Sequence, residues 1–163
     1  MSYTLKAVAV MGAALIVSGR ASAQVVTQHN LSLAMAKTIA EATLAECKAK
    51  GAHSSAVVVD RAGQVLVMLR DEQASAQTAE MARRKAYTAR MFRTTTLEFQ
   101  KRTADPALAA QRQIADILAL GGGVPIKFGD ETIGGVGSSG SSQEGDDACA
   151  KAGVAKVADQ LKQ

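Results

Sequence analysis

Residues 56–69 read AVVVDRAGQVLVML, two apolar, β-branched runs on either side of the polar break Arg61-Ala62-Gly63-Gln64. Runs of this length around a glycine-bearing break predict two strands joined by a tight turn. Both runs are apolar at consecutive positions, the pattern of a sheet covered on both faces. The flanking sequence must then supply the covers. Upstream, Ser32 is placed to cap a helix in which Ala36, Ile39, Ala40, Thr43 and Cys47 share one face, and Gly51 stops that helix after Lys50. Downstream, residues 76–93 predict a second helix, with Ala79, Ala82, Ala86 and Ala89 as a smooth packing face and Glu80 pairing with Arg84 on the outside. The run Thr94-Thr95-Thr96 ends or interrupts it. Asp105 as cap and Pro106 at the first helical position predict a further helix over 107–120, ended by Gly121-Gly122-Gly123.

Val124 to Phe128 and Thr132 to Val136 flank Gly129-Asp130, the signature of a second hairpin. Gly137 to Ser142 reads as a flexible loop. A last helix is predicted from about Asp146, with Ala150, Val154, Val157 and Leu161 on its buried face. The order helix, hairpin, helices, hairpin, helix predicts an α+β domain built on antiparallel strands with helices packed against them.

The 163 residues fit one domain. Met1 to Ala23 reads as a secretory signal: Lys6 gives a positive start, Ala7 to Val17 is uncharged and apolar, and Ala21-Ser22-Ala23 offers a small-x-small cleavage site. The predicted division is residues 1–23 as signal peptide and 24–163 as a single domain, in the periplasm or secreted. Cleavage removes Lys6 and Arg20 and no acid, so the formal charge of +4 falls to +2. Tyr87, Phe92, Phe99 and Phe128 are then the remaining aromatic residues, too few rings for base stacking, and nucleic acid is not an expected partner. No apolar run reaches the roughly 18–20 residues of a membrane span. In an oxidising compartment Cys47 and Cys149 can form a bridge closing a loop of about a hundred residues. Two buried free thiols acting as small apolar groups are the other reading.

No HExxH, CxxC, Walker loop or GxSxG elbow occurs, which withdraws the usual support for metalloprotease, dithiol, nucleotide-hydrolase and α/β-hydrolase chemistry. The run Gly134-Gly135-Val136-Gly137-Ser138-Ser139-Gly140 is glycine-rich but lacks the GK[ST] ending of a phosphate loop. A serine nucleophile there would need His29 or His53 as base, with nothing in the sequence to fix either. His29 precedes the first helix, where a side chain is free to ligate a metal. The bland alternative for either histidine is a solvated side chain. Arg83, Arg84, Lys85, Arg90 and Arg93 concentrate positive charge on the middle helix. Arg83 and Arg90, seven apart, share a face suited to carboxylates, or else form an ordinary solvated face partly neutralised by Glu80 and Asp71.

Residues 31–161 resemble the haem-binding HbpS/GlcG-like family, which includes the C-terminal domain of PduO proteins. The likeness lies in Leu31-Ser32-Leu33; Val59-Asp60 with Gly63 and Val65 to Arg70; and Ala82 to Ala89 with Phe92 and Thr94. It continues in Gly122 to Ile126, Ile133-Gly134 with Gly137 and Ser139-Gly140, and Asp147 with Cys149-Ala150 and Ala152-Gly153. The resemblance implies a profilin-like fold, a central antiparallel sheet with helices on both sides, and homo-oligomers. It also implies haem binding, redox-stress sensing or haem degradation in some exported members. Two departures stand out. Gln77 occupies a segment where exported relatives carry a histidine, and the extra glycine and serine of 134–140 predict a floppier, more polar strand. Three expectations result: a haem-binding protein with His29 as axial iron ligand and Arg83, Lys85 or Arg90 near the propionates; a protein handling a small carboxylate through the same cations; or a structural oligomeric module.

Overall fold

A computed structural model describes residues 24–162. Helix α1 (Leu33–Ala49) leads to strands β1 (Ser55–Val59) and β2 (Val65–Arg70), then α2 (Gln77–Phe92) and α3 (Thr96–Arg102), strands β3 (Gly123–Phe128) and β4 (Glu131–Ser139), and α4 (Gln143–Ala155). Short 3-10 turns lie at Ala109–Gln113, between α3 and β3, and at Ala158–Leu161, after α4. The four strands form one antiparallel sheet in the order β2-β1-β4-β3. The expected α+β architecture, with helices on both faces of the sheet, is the observed one. The predicted signal, residues 1–23, lies outside the described residues.

Two apolar clusters explain why the chain takes this form. On one face, Ala56, Val58, Ile126, Ile133 and Val136 pack with Ala36, Ile39 and Ala40 of α1 and Ala150 of α4. On the other, Val57 and Val59 pack with Ala82 and Ala86 of α2. Alternate residues of β1 thus feed opposite clusters, and every residue of that strand is buried, as consecutive apolar positions require. At the sheet edge β2 departs from the expectation of two covered faces: Val65 and Met68 are exposed.

Ser32 caps α1 through Met35 N–H, 3.2 Å away, as predicted. Asp60 organises the first hairpin turn, its Oδ1 accepting from the N–H groups of Ala62 (2.8 Å) and Gln64 (2.9 Å). Gly63 completes that turn at φ +83°, with its bare Cα facing the Tyr87 ring. The second hairpin turns at Gly129-Asp130, again as predicted.

The predicted helix over 107–120 is not formed. Asp105 does accept from Ala107 N–H at 2.9 Å, but this closes a turn. Arg112 then folds the segment back, donating to Thr103 Oγ1 (2.7 Å) and to the Gln100 carbonyl (2.7 Å). Asp116 has φ +66°, outside any helix. The helix in this region comes earlier: Thr95 caps α3 by accepting from Glu98 N–H. The threonine run therefore starts a helix as well as ending one. The loop expected from Gly137 is also corrected, because β4 continues through Ser139. Helix α4 starts at Gln143 behind the Ser142 cap, three residues before the expected start, and Val157 and Leu161 lie in the turns after it.

Helix α2 sits unusually close to the sheet. A Cβ on Gly135 or Gly137 would collide with the carbonyl oxygens of Ala86 and Ala82, and one on Gly123 with the carbonyl of Lys85. The glycines read as a source of floppiness instead let a helix backbone lie directly on the strands.

Cys47 and Cys149 are bridged, with a Cα–Cα distance of 5.4 Å. The bridge resolves the two readings of the cysteines and ties α1 to α4.

Candidate functional site

The strand register brings both hairpin turns to one end of the sheet. Val59 pairs with Gly135 on antiparallel β4, so Arg61, just past Val59, meets Glu131 and Thr132 at the start of β4. The last turns of α2 reach the same end, where the Arg90 backbone lies beside Gly135. This end gathers several polar groups that the sequence spreads over a hundred positions.

His29 lies in the extended segment before α1, which Leu31 anchors in the main core. Arg61 donates to the His29 carbonyl at 3.4 Å. The His29 ring tilts against Phe128, with centroids 4.7 Å apart, and its side chain is 52% exposed. His29 Nδ1 is 2.9 Å from Glu131 Oε2. A carboxylate only accepts, so Nδ1 carries a proton, and in the neutral ring the lone pair is on Nε2. Glu131 Oε1 also pairs with Arg61. The hydrogen bond from His29, and then Arg61, hold the Glu131 carboxyl below the ordinary glutamate range.

Beside this triad, Arg61, Arg90, Arg93, Asp130, Glu131 and Thr132 line a pocket of about 150 Å³. Arg90 Nε is buried and has no hydrogen-bond partner among the described residues. Burial, followed by the like charges of Arg61 and Arg93, pushes the Arg90 guanidinium below its ordinary value.

The other predicted cations lie elsewhere. Arg83 donates through Nε and a terminal nitrogen to Glu80, both at 2.8 Å, and to Asp116 at 2.6 Å. Glu80 therefore pairs at i,i+3 with Arg83 rather than at i,i+4 with Arg84, which instead donates to the Ile117 carbonyl at 2.6 Å. Lys85 is 1% exposed and donates to Asp146 Oδ2 (2.8 Å) and the Ser138 carbonyl (2.9 Å). The structure thus joins His29 and Arg90 through Glu131 and Arg61, and separates Arg83 and Lys85 from them. His53 stands at the opposite end of β1, its Nδ1 3.0 Å from Asp71 Oδ1. Asp71 binds this histidine and does not neutralise the α2 arginines. Gln77, the first residue of α2, follows the same opposite end.

Sequence reasoning missed Arg61, Phe128 and Glu131 as site residues, and named Arg93 only among the cations of the middle helix. The available signal was topological, since two hairpins paired through their inner strands put both turns at one end.

Among the described residues, no helix is long and apolar enough to cross a membrane, and no three His, Cys, Asp or Glu side chains cluster to hold a metal ion. A protein ligand to iron at this end would be a single histidine, which is sufficient when a porphyrin supplies the remaining nitrogens.

Comparison with known proteins places these features in context. A family model described as haem degrading protein HbpS-like matches residues 31–155. An uncharacterized 15.0 kDa protein of the dhaT-dhaS intergenic region of Citrobacter freundii is 34% identical over 121 residues, covering 71% of this chain and 84% of the relative. The crystal structure of HbpS superposes with a TM-score of 0.78 at 34% identity, covering 81% of this chain and 93% of that one. A PduOC complex crystallised with haem gives a TM-score of 0.70 at 26% identity, over 77% of this chain and 94% of that one.

Proposed function

Because the chain belongs to the HbpS-like haem-degrading protein family, we propose that it is an exported haem-binding protein with His29 Nε2 as the axial iron ligand. The observation that carries this reading is the His29–Glu131 hydrogen bond. A histidine ligand normally donates its second ring N–H to a carboxylate or carbonyl, which fixes the tautomer and raises the basicity of the ligating nitrogen. Glu131 is placed to accept that proton here, and Arg61 holds Glu131 in turn. The haem of the PduOC relative supports the choice of ligand.

The donor set fits such a group. His29 Nε2 would hold the metal, Phe128 offers an apolar ring beside it, and Arg90 with Arg93 would receive a propionate by charge-assisted hydrogen bonds. Arg83 and Lys85 are committed to Glu80, Asp116 and Asp146, and their roles are in the fold. A pocket of about 150 Å³ lies below the roughly 300–1,000 Å³ of an enclosing ligand cavity, so it suits an acidic side arm and leaves the macrocycle on open surface. A second copy of the chain covering that surface would complete the site. When bound, haem would supply iron chemistry towards peroxide, while His29 would supply the ligand and Arg90 with Arg93 the charge that orients it. Export is supported by the bridged cysteines, which persist in oxidising compartments, and by the sequence of residues 1–23.

Titration of the purified chain with hemin tests the reading. A saturable red shift of the Soret band is expected, lost or weakened at least tenfold in His29→Ala. An unchanged midpoint and spectrum in that variant would remove His29 as ligand, and spectral silence of the unaltered protein would remove haem altogether.

A further inference from the structure

From the convergence of Arg61, Arg90 and Arg93 on one small pocket, we infer a binding site for a free small monocarboxylate, independent of haem. Three guanidinium groups face two carboxylates there, Asp130 and Glu131, so the lining carries one excess positive charge. Arg61 and Glu131 neutralise each other, and Glu131 is further occupied by His29. The unspent charge lies on Arg90 and Arg93, which share the pocket lining with Arg61; both neighbours act on Arg90 as like charges, an arrangement an anion would relieve. Asp60 acts on Arg90 as an opposing charge from outside the pocket lining, its Oδ1 held by two backbone N–H groups of the hairpin turn.

The unused donor matters as much as the charge. Arg90 Nε is buried without an acceptor among the described residues, and a buried N–H left unpaired costs about 1–3 kcal/mol. A guanidinium presents its N–H groups in a planar fork that matches the two oxygens of a carboxylate. A monoanion cancels the excess charge, whereas a phosphate dianion would overshoot it. The volume of about 150 Å³ admits only a few heavy atoms, which restricts the ligand to short-chain acids. Position makes the site consequential: Glu131 is shared between the pocket wall and His29, so filling the pocket is felt at the histidine ring.

The test uses the purified haem-free chain at constant ionic strength. Sodium acetate and propionate are titrated by calorimetry and by NMR, with chloride and phosphate as competitors. Saturable acetate or propionate binding is expected, with His29 ring resonances moving at the same midpoint. It should weaken at least tenfold in Arg90→Gln and in Arg93→Gln, the latter altering an exposed residue just past the end of α2. Acetate binding no tighter than chloride, phosphate binding tighter than acetate, or wild-type affinity in both variants would overturn the inference. Failure here is separable from failure of the haem reading. His29→Ala should abolish the hemin shift yet keep acetate affinity within about threefold, while an intact hemin shift with no acetate binding sinks this site alone.

Discussion

At Lys85 the chain buries an ammonium that the sequence presents as one more cation on a basic helix. Its position among Ala82, Ala86 and Ala89 puts it on the packing side of α2, and its stem carries the charge to Asp146 at the start of α4. Burial pushes the Lys85 ammonium below its usual range, and Asp146 opposes that shift. Ser141 N–H also donates to Asp146 at 3.1 Å, so the pair is hydrogen-bonded on both sides. Removing one partner of a buried pair typically costs about 3–5 kcal/mol, because the remaining charge has no partner. Asp146→Ala is therefore expected to lose stability of that order in urea denaturation, and a loss under 1 kcal/mol would mean that water reaches the pair. Glu131 makes a different prediction. Its folded value lies below the ordinary glutamate value of about 4.3, so its stabilising contribution is present above that pH and is lost as pH falls through the folded value. The Glu131 carboxyl carbon should titrate by NMR with a midpoint below that of an unperturbed glutamate, moving upward in His29→Ala. A midpoint at or above that of an unperturbed glutamate in the unaltered protein would contradict the triad.

At the scale of elements, the contact between α2 and the strands depends on absent side chains. Glycine inside an ordinary strand is a weakness, and alanine there should stabilise. At Gly137 the sign reverses, because a Cβ would meet the Ala82 carbonyl oxygen. Gly137→Ala must push the helix off the sheet or bend the strand, a form of overpacking that costs about 1–3 kcal/mol. A lower melting temperature by circular dichroism is expected, and an unchanged or higher one would show that α2 has room to move. The same region shows what the sequence disclosed about elements. Both hairpins and the faces of α1 and α2 were legible, because β-branched runs and alanine spacing report local geometry. Helix α3 was not, since Thr95-x-x-Glu98 is a capping pattern hidden inside a run that also resembles a terminator. The predicted helix over 107–120 had a sound start signal but little apolar surface to bury: Ile114 is exposed, and of this stretch only Ile117 is fully buried. A start signal without a face to pack gives a turn.

At the scale of the whole molecule, the sequence disclosed the order of elements but not which distant residues would meet. The separation of 102 residues between Cys47 and Cys149 sets the size of a loop and says nothing about the distance across it. That distance is set by α1 and α4 packing side by side on one face of the sheet, where Gly153 admits Thr43 and the Ile39 carbonyl at close range. The candidate site was hidden for the same reason, since His29 and Glu131 are also 102 residues apart. Closing a loop of about 100 residues is worth up to roughly 4.7 kcal/mol in the chain-entropy model, and losing a native bridge typically costs 2–5 kcal/mol. The effect is expected mainly in the unfolded state, because neither apolar cluster nor any of the four strands includes a cysteine. The double variant Cys47→Ala, Cys149→Ala should accordingly keep its circular dichroism spectrum and its hemin response while unfolding about 2–5 kcal/mol more easily. Reductant should lower the denaturation midpoint of the unaltered chain and leave that of the double variant in place. If reductant moves both equally, or neither, the link between α1 and α4 contributes nothing to holding this fold.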